Sequence, residues 1–466
     1  MQLPRATKTC LALGYVLLLL APTLGQPPAR LALVGGTLID GTGAPPLTNS
    51  VVLIEGERIT AVGRRGEVAI PEGTERAQLD GRFLLPGLID GHVHLQSLGA
   101  ASYQGRFQAF GEDLVERIAN HAKRHLQSGV TTVFDVGGPL HELRQVRDEI
   151  NQGKRPGARI FMAGPITSAE RGYPLPFPRT AAEALHQETL IRGEFKGIAG
   201  ARTKIRQLID LGVDQIKVYQ TGGFDHGYAG YATRVPLEEL KVVVELAHQA
   251  GIPVTAHTRG IEGFRNGVRA GLDSMQHVVY CGIPMPDEIV QLLAQSSVYI
   301  IPTIVAISQF WDLLQDPSPL EKDRLALNLP PEVTDELFEI VSDPKRYTRH
   351  EYYNMSYAEI PLGRENLSRL VQAGARVAMG TDAGTVANFH GTSYREVVEL
   401  VRAGMTSMQA IMAATRNTAL AFKKPDLGTI EAGKIADIIV LAEDPLADIQ
   451  NLSQVLHVFK SGKKYK

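Results

Sequence analysis

Four histidines and one aspartate lie at or near the ends of apolar segments, where their side chains could bind a metal ion. His92 and His94 close the apolar run 85–94, with one residue between them. Because side chains alternate between the two faces of a strand, both imidazoles face the same side, as two ligands of one metal must. His257, His277 and Asp382 follow three later apolar runs. Imidazole and carboxylate suit a borderline cation such as zinc, so these residues predict a site for one or two metal ions.

Three further residues could act on a substrate or on the metal ions. Lys217 ends another apolar run, but a protonated lysine has only donors and cannot bind a metal. Tyr219, two residues later, faces the same way on a strand and could bond a substrate carboxylate or carbonyl. Arg259 could hold a substrate carboxylate with its planar fork of donors. A surface role is the alternative for this arginine.

The elements that must position these side chains alternate between apolar strands and amphipathic helices. Eight strand–helix units predict an α/β fold of the (β/α)8 TIM-barrel type, in which active residues lie at the carboxyl ends of the strands. A doubly wound open sheet is the alternative, but it would not gather ligands from its first and last strands. The predicted strands fall in residues 85–94, 131–136, 158–163, 214–219, 254–258, 275–278, 298–303 and 378–382. The predicted helices are 114–128, 203–211, 237–250, 261–270, 286–294 and 356–373.

Short strands separated by turns occupy both ends of the chain and predict one discontinuous β-sandwich module. We expect residues 26–85 and 425–466 to form that module and residues 86–424 to form the barrel. The long connection 305–355 after the seventh strand could form a substrate wall or pack between subunits.

The first 25 residues have the pattern of a secretory signal peptide. Arg5 and Lys8 precede a short apolar run, and small or turn-forming residues follow it. We expect cleavage and a secreted or periplasmic protein, with an uncleaved anchor as the alternative. Cleavage would remove Cys10 and leave Cys281 alone, so no disulfide could form within the mature chain.

The composition favours a small-molecule substrate. The formal net charge is -2 and no long basic stripe is present, so we expect no nucleic-acid partner. We also expect no stable membrane insertion after cleavage, and a homo-oligomer.

The metal-binding motifs, taken in order, resemble those of the amidohydrolase superfamily over essentially all of the chain after the signal segment. The resemblance is closest to the branch of imidazolonepropionase-like proteins and zinc dipeptidases of the prolidase and Xaa-Arg type. The matching motifs are Gly91-His92-Val93-His94, Ile216-Lys217-Val218, Ala256-His257, Gln276-His277, Gly380-Thr381-Asp382-Ala383-Gly384 and the run 428–437.

The resemblance implies that Lys217 is carboxylated to N6-carboxylysine and bridges two divalent metal ions, with zinc as the expected metal. It implies that His92, His94 and Asp382 hold the buried ion and that His257 and His277 hold the exposed one. His390 resembles a family position at the mouth of the site, and a solvent-facing loop histidine is its alternative.

These residues predict hydrolysis of an amide bond in a dipeptide or N-acyl amino acid by a hydroxide that the metals activate. Asp382 would accept the proton of the attacking water and later deliver it to the leaving nitrogen. The alternatives are a cyclic amide or lactone hydrolase on the same two-metal site and a non-catalytic binding relative. Such a relative characteristically loses ligands, whereas this chain keeps all six.

Overall fold

Parallel strands and helices alternate through the middle of the chain, and mostly antiparallel strands lie near both ends. The computed structural model describes residues 29–100, 114–169, 194–221, 233–277, 283–329, 331–343 and 351–466. The predicted signal segment 1–25 and Cys281 lie outside these ranges. Within them, no helix has the length and apolarity needed to cross a bilayer.

The strands of the described chain fall into a central parallel group and a terminal group. Their bounds are β1 (Arg30–Val34), β2 (Thr37–Leu38), β3 (Ser50–Glu55), β4 (Arg58–Arg64), β5 (Glu75–Gln78), β6 (Phe83–Pro86), β7 (Leu88–Val93), β8 (Val130–Asp135), β9 (Arg159–Met162), β10 (Ser168–Ala169), β11 (Glu194–Phe195), β12 (Ile216–Tyr219), β13 (Val254–His257), β14 (Ser274–Gln276), β15 (Tyr299–Ile301), β16 (Ile438–Leu441), β17 (Val455–Lys460) and β18 (Lys463–Lys464).

Helices follow most of the central strands. Their bounds are α1 (Leu114–Gln127), α2 (Leu140–Asn151), α3 (Gly197–Asp210), α4 (Leu237–Gln249), α5 (Ile261–Ala270), α6 (Asp287–Gln295), α7 (Val305–Gln315), α8 (Ser318–Leu327), α9 (Pro331–Ser342), α10 (Glu351–Gln372), α11 (Tyr394–Arg402), α12 (Ser407–Met412) and α13 (Thr418–Ala421), with a π-helical turn at Ala413–Asn417 between the last two and a 3-10 helix at Ile449–Ser453.

Two parallel sheets form the centre of the molecule. One has the order β7-β8-β9 and the other β12-β13-β14-β15. Every residue of β7 and β8 is buried, as expected for parallel strands that are covered on both faces. Backbone hydrogen bonds also run between the two sheets. Asp214 N–H donates to the Met162 carbonyl at 2.8 Å, and Thr167 N–H donates to the Lys217 carbonyl at 2.8 Å.

The segment 376–383 joins the other edges of the two sheets. Ile300 N–H donates to the Arg376 carbonyl at 2.7 Å, and Gly91 N–H donates to the Met379 carbonyl at 3.0 Å. The sequence predicted a strand at 378–382, whereas the structure has single bridges at Val377 and Ala383. The ladder is interrupted because Thr381 N–H donates to the Asp90 side chain and because Asp382 has a left-handed φ of 60°.

Strands from both ends of the chain share one sheet, in the order β18-β17-β16-β6-β2. One contact between the ends is the antiparallel pairing of β16 with β6, from Ile438 opposite Pro86 to Leu441 opposite Phe83. A second sheet has the order β4-β3-β1-β5, and apolar residues of both sheets form one buried cluster. The domain boundaries inferred from the sequence remain a prediction.

The segment 305–355 is largely helical where the structure describes it, whereas the sequence was interpreted as a long strand-to-helix connection. It holds α7, α8 and α9 and the start of α10. Phe310 and Leu313 of α7 are almost fully buried in the main core, at 0% and 1% exposure. A helix that is apolar on most of its faces lacks the periodicity that distinguishes a helix from a buried loop.

Candidate metal centre

Three of the predicted ligands converge on one point. His92 is the second-last residue of β7, His94 directly follows that strand, and Asp382 lies near the end of the neighbouring segment 376–383. The Asp382 Oδ1 atom is 3.3 Å from Nε2 of His92 and 3.3 Å from Nε2 of His94. One ligand atom from each residue lies within 4.8 Å of the other two, which is close enough to surround a single ion. Asp382 N–H donates to the His92 carbonyl at 2.7 Å and fixes the two segments in register.

The other ring nitrogen of each histidine is held by an acceptor. Nδ1 of His94 lies 3.0 Å from the Gly137 carbonyl, and Nδ1 of His92 lies 2.8 Å from Gln276 Oε1. Gln276 turns its oxygen towards His92 because its amide nitrogen donates to Thr255 Oγ1 at 2.8 Å. Each Nδ1 therefore carries a hydrogen, and in the neutral ring Nε2 presents a lone pair.

This arrangement aims two imidazole lone pairs at a carboxylate oxygen. In the described part of the chain Asp382 Oδ1 receives no hydrogen bond of acceptable geometry, although both Nε2 atoms lie beside it. Burial, followed by the positive charge of Lys217, lowers the pKa of His92 to about 4, so this ring is neutral at pH 7. Lone pairs that face each other at this distance repel unless a cation lies between them. The residues present therefore fit a divalent cation.

Electrostatics around the three residues favour an ionised aspartate. Burial acts to raise the pKa of Asp382, but the interactions with the histidines outweigh it and hold the pKa well below its usual value. Burial acts to lower the pKa of His94, yet the Asp382 and Asp135 carboxylates outweigh it and leave the pKa raised. Because a metal ligand must be deprotonated, a bound cation would oppose this upward shift of the His94 pKa.

His277 and His257 lie next to this group. Nδ1 of His277 is 3.8 Å from Asp382 Oδ2, and the ring centroids of His277 and His92 are 4.8 Å apart. The His257 ring is 4.4 Å from that of His277 and stacks on Tyr219 at 4.2 Å. Nε2 of His257 is buried without a hydrogen-bond partner among the described residues. This orphaned nitrogen is a second position where a cation would satisfy a lone pair.

Lys217 is buried among the same residues, at 2% exposure. Burial lowers its pKa to about 7, while the charges of Asp382 and Asp135 act to raise it. Its charge also acts on His92 and His257, which places its ammonium group within electrostatic reach of both. A lysine with this pKa is partly neutral at physiological pH.

Three residues at the site have left-handed backbone conformations, which are rare for residues with a side chain. These are His277, Thr303 and Asp382, with φ of 64°, 52° and 60°. Such conformations cost free energy and persist only where surrounding contacts hold them. His277 directly follows β14, Thr303 lies just beyond β15, and Asp382 lies in the segment 376–383. The His277 side chain contacts both of the others, with Nδ1 2.9 Å from Thr303 Oγ1 and 3.8 Å from Asp382 Oδ2.

Asp90 supports the site and was missed in the sequence. Its Oδ1 accepts the backbone N–H of His92 at 3.1 Å and of Thr381 at 3.0 Å. Its Oδ2 accepts the hydroxyls of Thr381 at 2.7 Å and Ser393 at 2.9 Å. Burial raises the pKa of Asp90 to about 6, although these four bonds oppose the increase. Asp90 lies two residues before His92 and therefore faces the same side of the strand. This spacing was the pattern in the sequence that could have identified Asp90.

Arg259 lies close to the metal residues but is bound by a carboxylate of the protein. Its Nη2 donates to Glu359 Oε2 of α10 at 2.6 Å, and both side chains are nearly buried. Its positive charge also helps to lower the pKa of His257, after the larger effect of burial. Arg259 therefore lies near the predicted site, and its guanidinium forms an ion pair with Glu359 of α10.

His390 does not lie among the metal residues, in contrast to its predicted place at the mouth of the site. It is 1% exposed and belongs to a second histidine cluster, made of His121, His125 and His390. Its Nδ1 is 2.9 Å from His125 Nε2, and its Nε2 is 3.0 Å from the Ser97 carbonyl. Asn388 Nδ2 donates to the Thr381 carbonyl at 2.7 Å and closes a tight loop, so His390 is directed towards α1.

Known proteins resemble this chain in sequence and in fold. The sequence profile of the amidohydrolase family matches residues 83–464. Ochratoxinase from Aspergillus niger is 27% identical over 463 residues, which cover 92% of this chain and 85% of that protein. A solved Xaa-Pro dipeptidase with methionine bound in its active site has a TM-score of 0.74 at 27% identity, over 94% of this chain and 100% of that one. Molinate hydrolase has a TM-score of 0.75 at 27% identity, over 94% and 95%.

Proposed function

Because this chain belongs to the amidohydrolase family and is a hydrolase, we propose that it cleaves an amide bond of a dipeptide or an N-acyl amino acid with the help of two divalent metal ions. The observation that carries this proposal is the pair of Nε2 atoms, of His92 and His94, directed at Asp382 Oδ1 at 3.3 Å each. The similarity to a Xaa-Pro dipeptidase supports the choice of a peptide-like substrate.

We also propose that the two parallel sheets and the segment 376–383 close into a (β/α)8 barrel beside a terminal β-sandwich. The supporting observations are the backbone hydrogen bonds that cross both junctions between the sheets. In such a barrel the carboxyl ends of all strands meet on one face, which accounts for the gathering of ligands from distant segments.

The proposed ions are zinc, each with its own set of ligands. His92, His94 and Asp382 would hold one ion, and His257 and His277 would hold the other, with carboxylated Lys217 between them. Only a neutral amine adds to carbon dioxide, and burial lowers the pKa of Lys217 to about 7. When bound, two divalent ions would polarise the scissile carbonyl and lower the pKa of the attacking water.

Asp382 is the proposed acid–base group. Its pKa lies well below the ordinary value, so the carboxylate is ionised and able to accept a proton at neutral pH. Its backbone is fixed by the hydrogen bond to the His92 carbonyl, so the carboxylate keeps its position while a proton moves. The proton that it accepts from water would then pass to the leaving nitrogen, which makes the amine a better leaving group.

Tyr219 and Arg259 are the proposed substrate contacts on the His257 side of the centre. The Tyr219 ring stacks on the His257 ring at 4.2 Å and is 7% exposed. Arg259 has five N–H donors and keeps a positive charge beside His257, although Glu359 engages one end of its guanidinium. The planar fork of donors on Arg259 suits a substrate with a free carboxylate.

Release of amino acids from a panel of dipeptides and N-acyl amino acids tests the proposal. Zinc-loaded wild type should cleave a subset of the panel, and Asp382→Asn should lose at least ~10³-fold in kcat, because it removes both a ligand and the proton acceptor. Asp210→Asn, an exposed change on α3, is the matched control and should keep full activity. A zinc-loaded wild type that cleaves no member of the panel would overturn the amide substrate and favour a cyclic amide or lactone.

We further propose that the protein acts outside the cytoplasm, on the basis of the sequence pattern of residues 1–25. Export from an expressing cell, followed by determination of the N-terminal residue of the mature protein, tests this. Retention of the full-length chain inside the cell would contradict it.

A further inference from the structure

Glu396 is a fully buried carboxylate that bonds to the backbone just beyond strand β15. Its Oε1 accepts the N–H of Ile304 at 3.0 Å, and its Oε2 accepts the N–H of Val305 at 2.9 Å. These amides are at the start of α7, where N–H groups have no partner within their own helix. Both oxygens of one carboxylate are thus used to fix two successive amides. A buried bidentate contact of this kind leaves little freedom to the backbone that it holds.

The residue before these amides contacts a proposed metal ligand. Thr303 Oγ1 lies 2.9 Å from Nδ1 of His277. Both residues have left-handed backbone conformations, and Thr303 is also β-branched, for which this conformation is especially unfavourable. Neighbouring contacts must hold such a turn in place. On the helix side of the turn, Glu396 makes these contacts.

We propose that Glu396 is a positioning residue for the second metal site. It fixes the start of α7, and through the turn at Thr303 it sets the orientation of the His277 ring. This inference rests on the proposed function, because it takes His277 to be a metal ligand. Glu396 contacts the backbone of 304–305, so its effect on the site passes entirely through other residues.

Glu399 provides a matched control on α11, the helix that also holds Glu396. It is also buried, at 3% exposure, but its carboxylate binds Arg364 and Arg402. Glu399→Gln therefore replaces a buried acidic side chain of α11 with the same amide and does not change the contacts of Ile304 and Val305. Any general effect of such a change on folding should appear in both variants.

Metal titration of Glu396→Gln tests the inference directly. The amide keeps the size of the side chain, but its –NH2 group faces a backbone N–H donor, so one of the two hydrogen bonds is lost. We expect the affinity for the second zinc to fall ~10-fold relative to wild type, as for other outer residues that orient a ligand. The affinity for the first zinc should match that of Glu399→Gln. Excess zinc should restore the activity of Glu396→Gln.

Thr303→Val removes the hydroxyl that contacts His277 while it leaves Glu396 in place. This variant should lower the affinity for the second zinc as Glu396→Gln does. The double variant should lose less affinity than the sum of the two single losses, because both changes act on one ligand, His277. Wild-type affinity for both ions in Glu396→Gln, or in Thr303→Val, would overturn the inference and leave the proposed function intact. A wild-type protein that binds fewer than two ions would overturn the proposed function, and the inference with it.

Discussion

Gly380 lies directly against His92. A β-carbon at position 380 would be 2.8 Å from the Cβ of His92 and 2.9 Å from its backbone nitrogen. Real β-carbons essentially never approach other atoms so closely, so any larger residue must displace the strand that carries the ligand. The absence of a side chain at Gly380 therefore helps to shape the proposed metal site.

Gly380→Ala should weaken metal binding and activity together. We expect kcat/KM to fall about 10–100-fold, because a ligand displaced by a fraction of an ångström no longer fits the geometry of the ion. Gly200→Ala in α3 is the control, since its β-carbon would make only ordinary van der Waals contacts with Phe195 of β11. Zinc titration and steady-state kinetics measure both effects. Unchanged zinc affinity in a folded Gly380→Ala protein would contradict the close packing described here.

Asp90→Asn should destabilise the fold much less than Asp90→Ala. Asparagine can keep its oxygen on the two backbone N–H groups and give its –NH2 to the hydroxyls of Thr381 and Ser393, which can turn to accept. Asp90→Ala leaves buried donors without a partner, which costs ~1–3 kcal/mol for each such group. Chemical unfolding measures the difference. Equal losses of stability in the two variants would show that the charge of Asp90, rather than its hydrogen bonds, supports the site.

Loading of the metal-free protein with zinc and bicarbonate should improve as the pH rises through about 7. Burial lowers the pKa of Lys217 to about this value, and only the neutral amine that predominates above it can add carbon dioxide. Recovery of activity at pH 6 and at pH 8, with and without bicarbonate, measures the effect. Lys217→Met, which lacks the amine, should show no dependence on bicarbonate. Equal recovery of wild-type activity with and without bicarbonate, at both pH values, would contradict carboxylation of Lys217.

The buried histidine cluster should make the fold sensitive to acid. Burial lowers the pKa of His121 and of His125 to about 3, whereas both titrate near 6.5 in the unfolded chain. The unfolded state therefore binds more protons between about pH 3 and 6.5. The stability that comes from these neutral rings is complete above about pH 6.5 and is lost as the pH falls towards 3.

His125→Gln should remove one titrating group while it keeps a donor near His390. The free energy of unfolding of wild type should then fall more steeply with acid than that of the variant, by about 1.4 kcal/mol per pH unit below about pH 6. Urea unfolding in the presence of a chelator, which removes the contribution of bound metal, gives both curves. Parallel curves from pH 7 to pH 5 would show that His125 has the same pKa in the folded and unfolded protein.

The sequence pointed to the candidate ligands but not to the residues that support them, for a physical reason. Alternation along a strand places His92 and His94 on one face, and the resemblance to the amidohydrolase superfamily is confirmed by the family match and by the structural neighbours. The hydrogen bonds that support the candidate ligands join residues far apart in the chain. Glu396 bonds to an amide 92 residues away, and no local pattern marks such a contact.

His390 shows the opposite error. Its motif suggested the mouth of the site, but the loop closed by Asn388 directs it into the core, towards two histidines of α1. The spacing of four residues between His121 and His125, on one helix face, was the signal that a second cluster existed.

We expect His92, His94, His257, His277 and Asp382 to hold two metal ions. Anomalous diffraction at the zinc edge, from crystals of the zinc-loaded protein, tests it most directly. We predict two peaks about 3.5–4 Å apart, one beside His92 and His94 and one beside His257 and His277, with density for a carboxyl group on Lys217 between them. Absence of an anomalous peak among these residues would contradict the account.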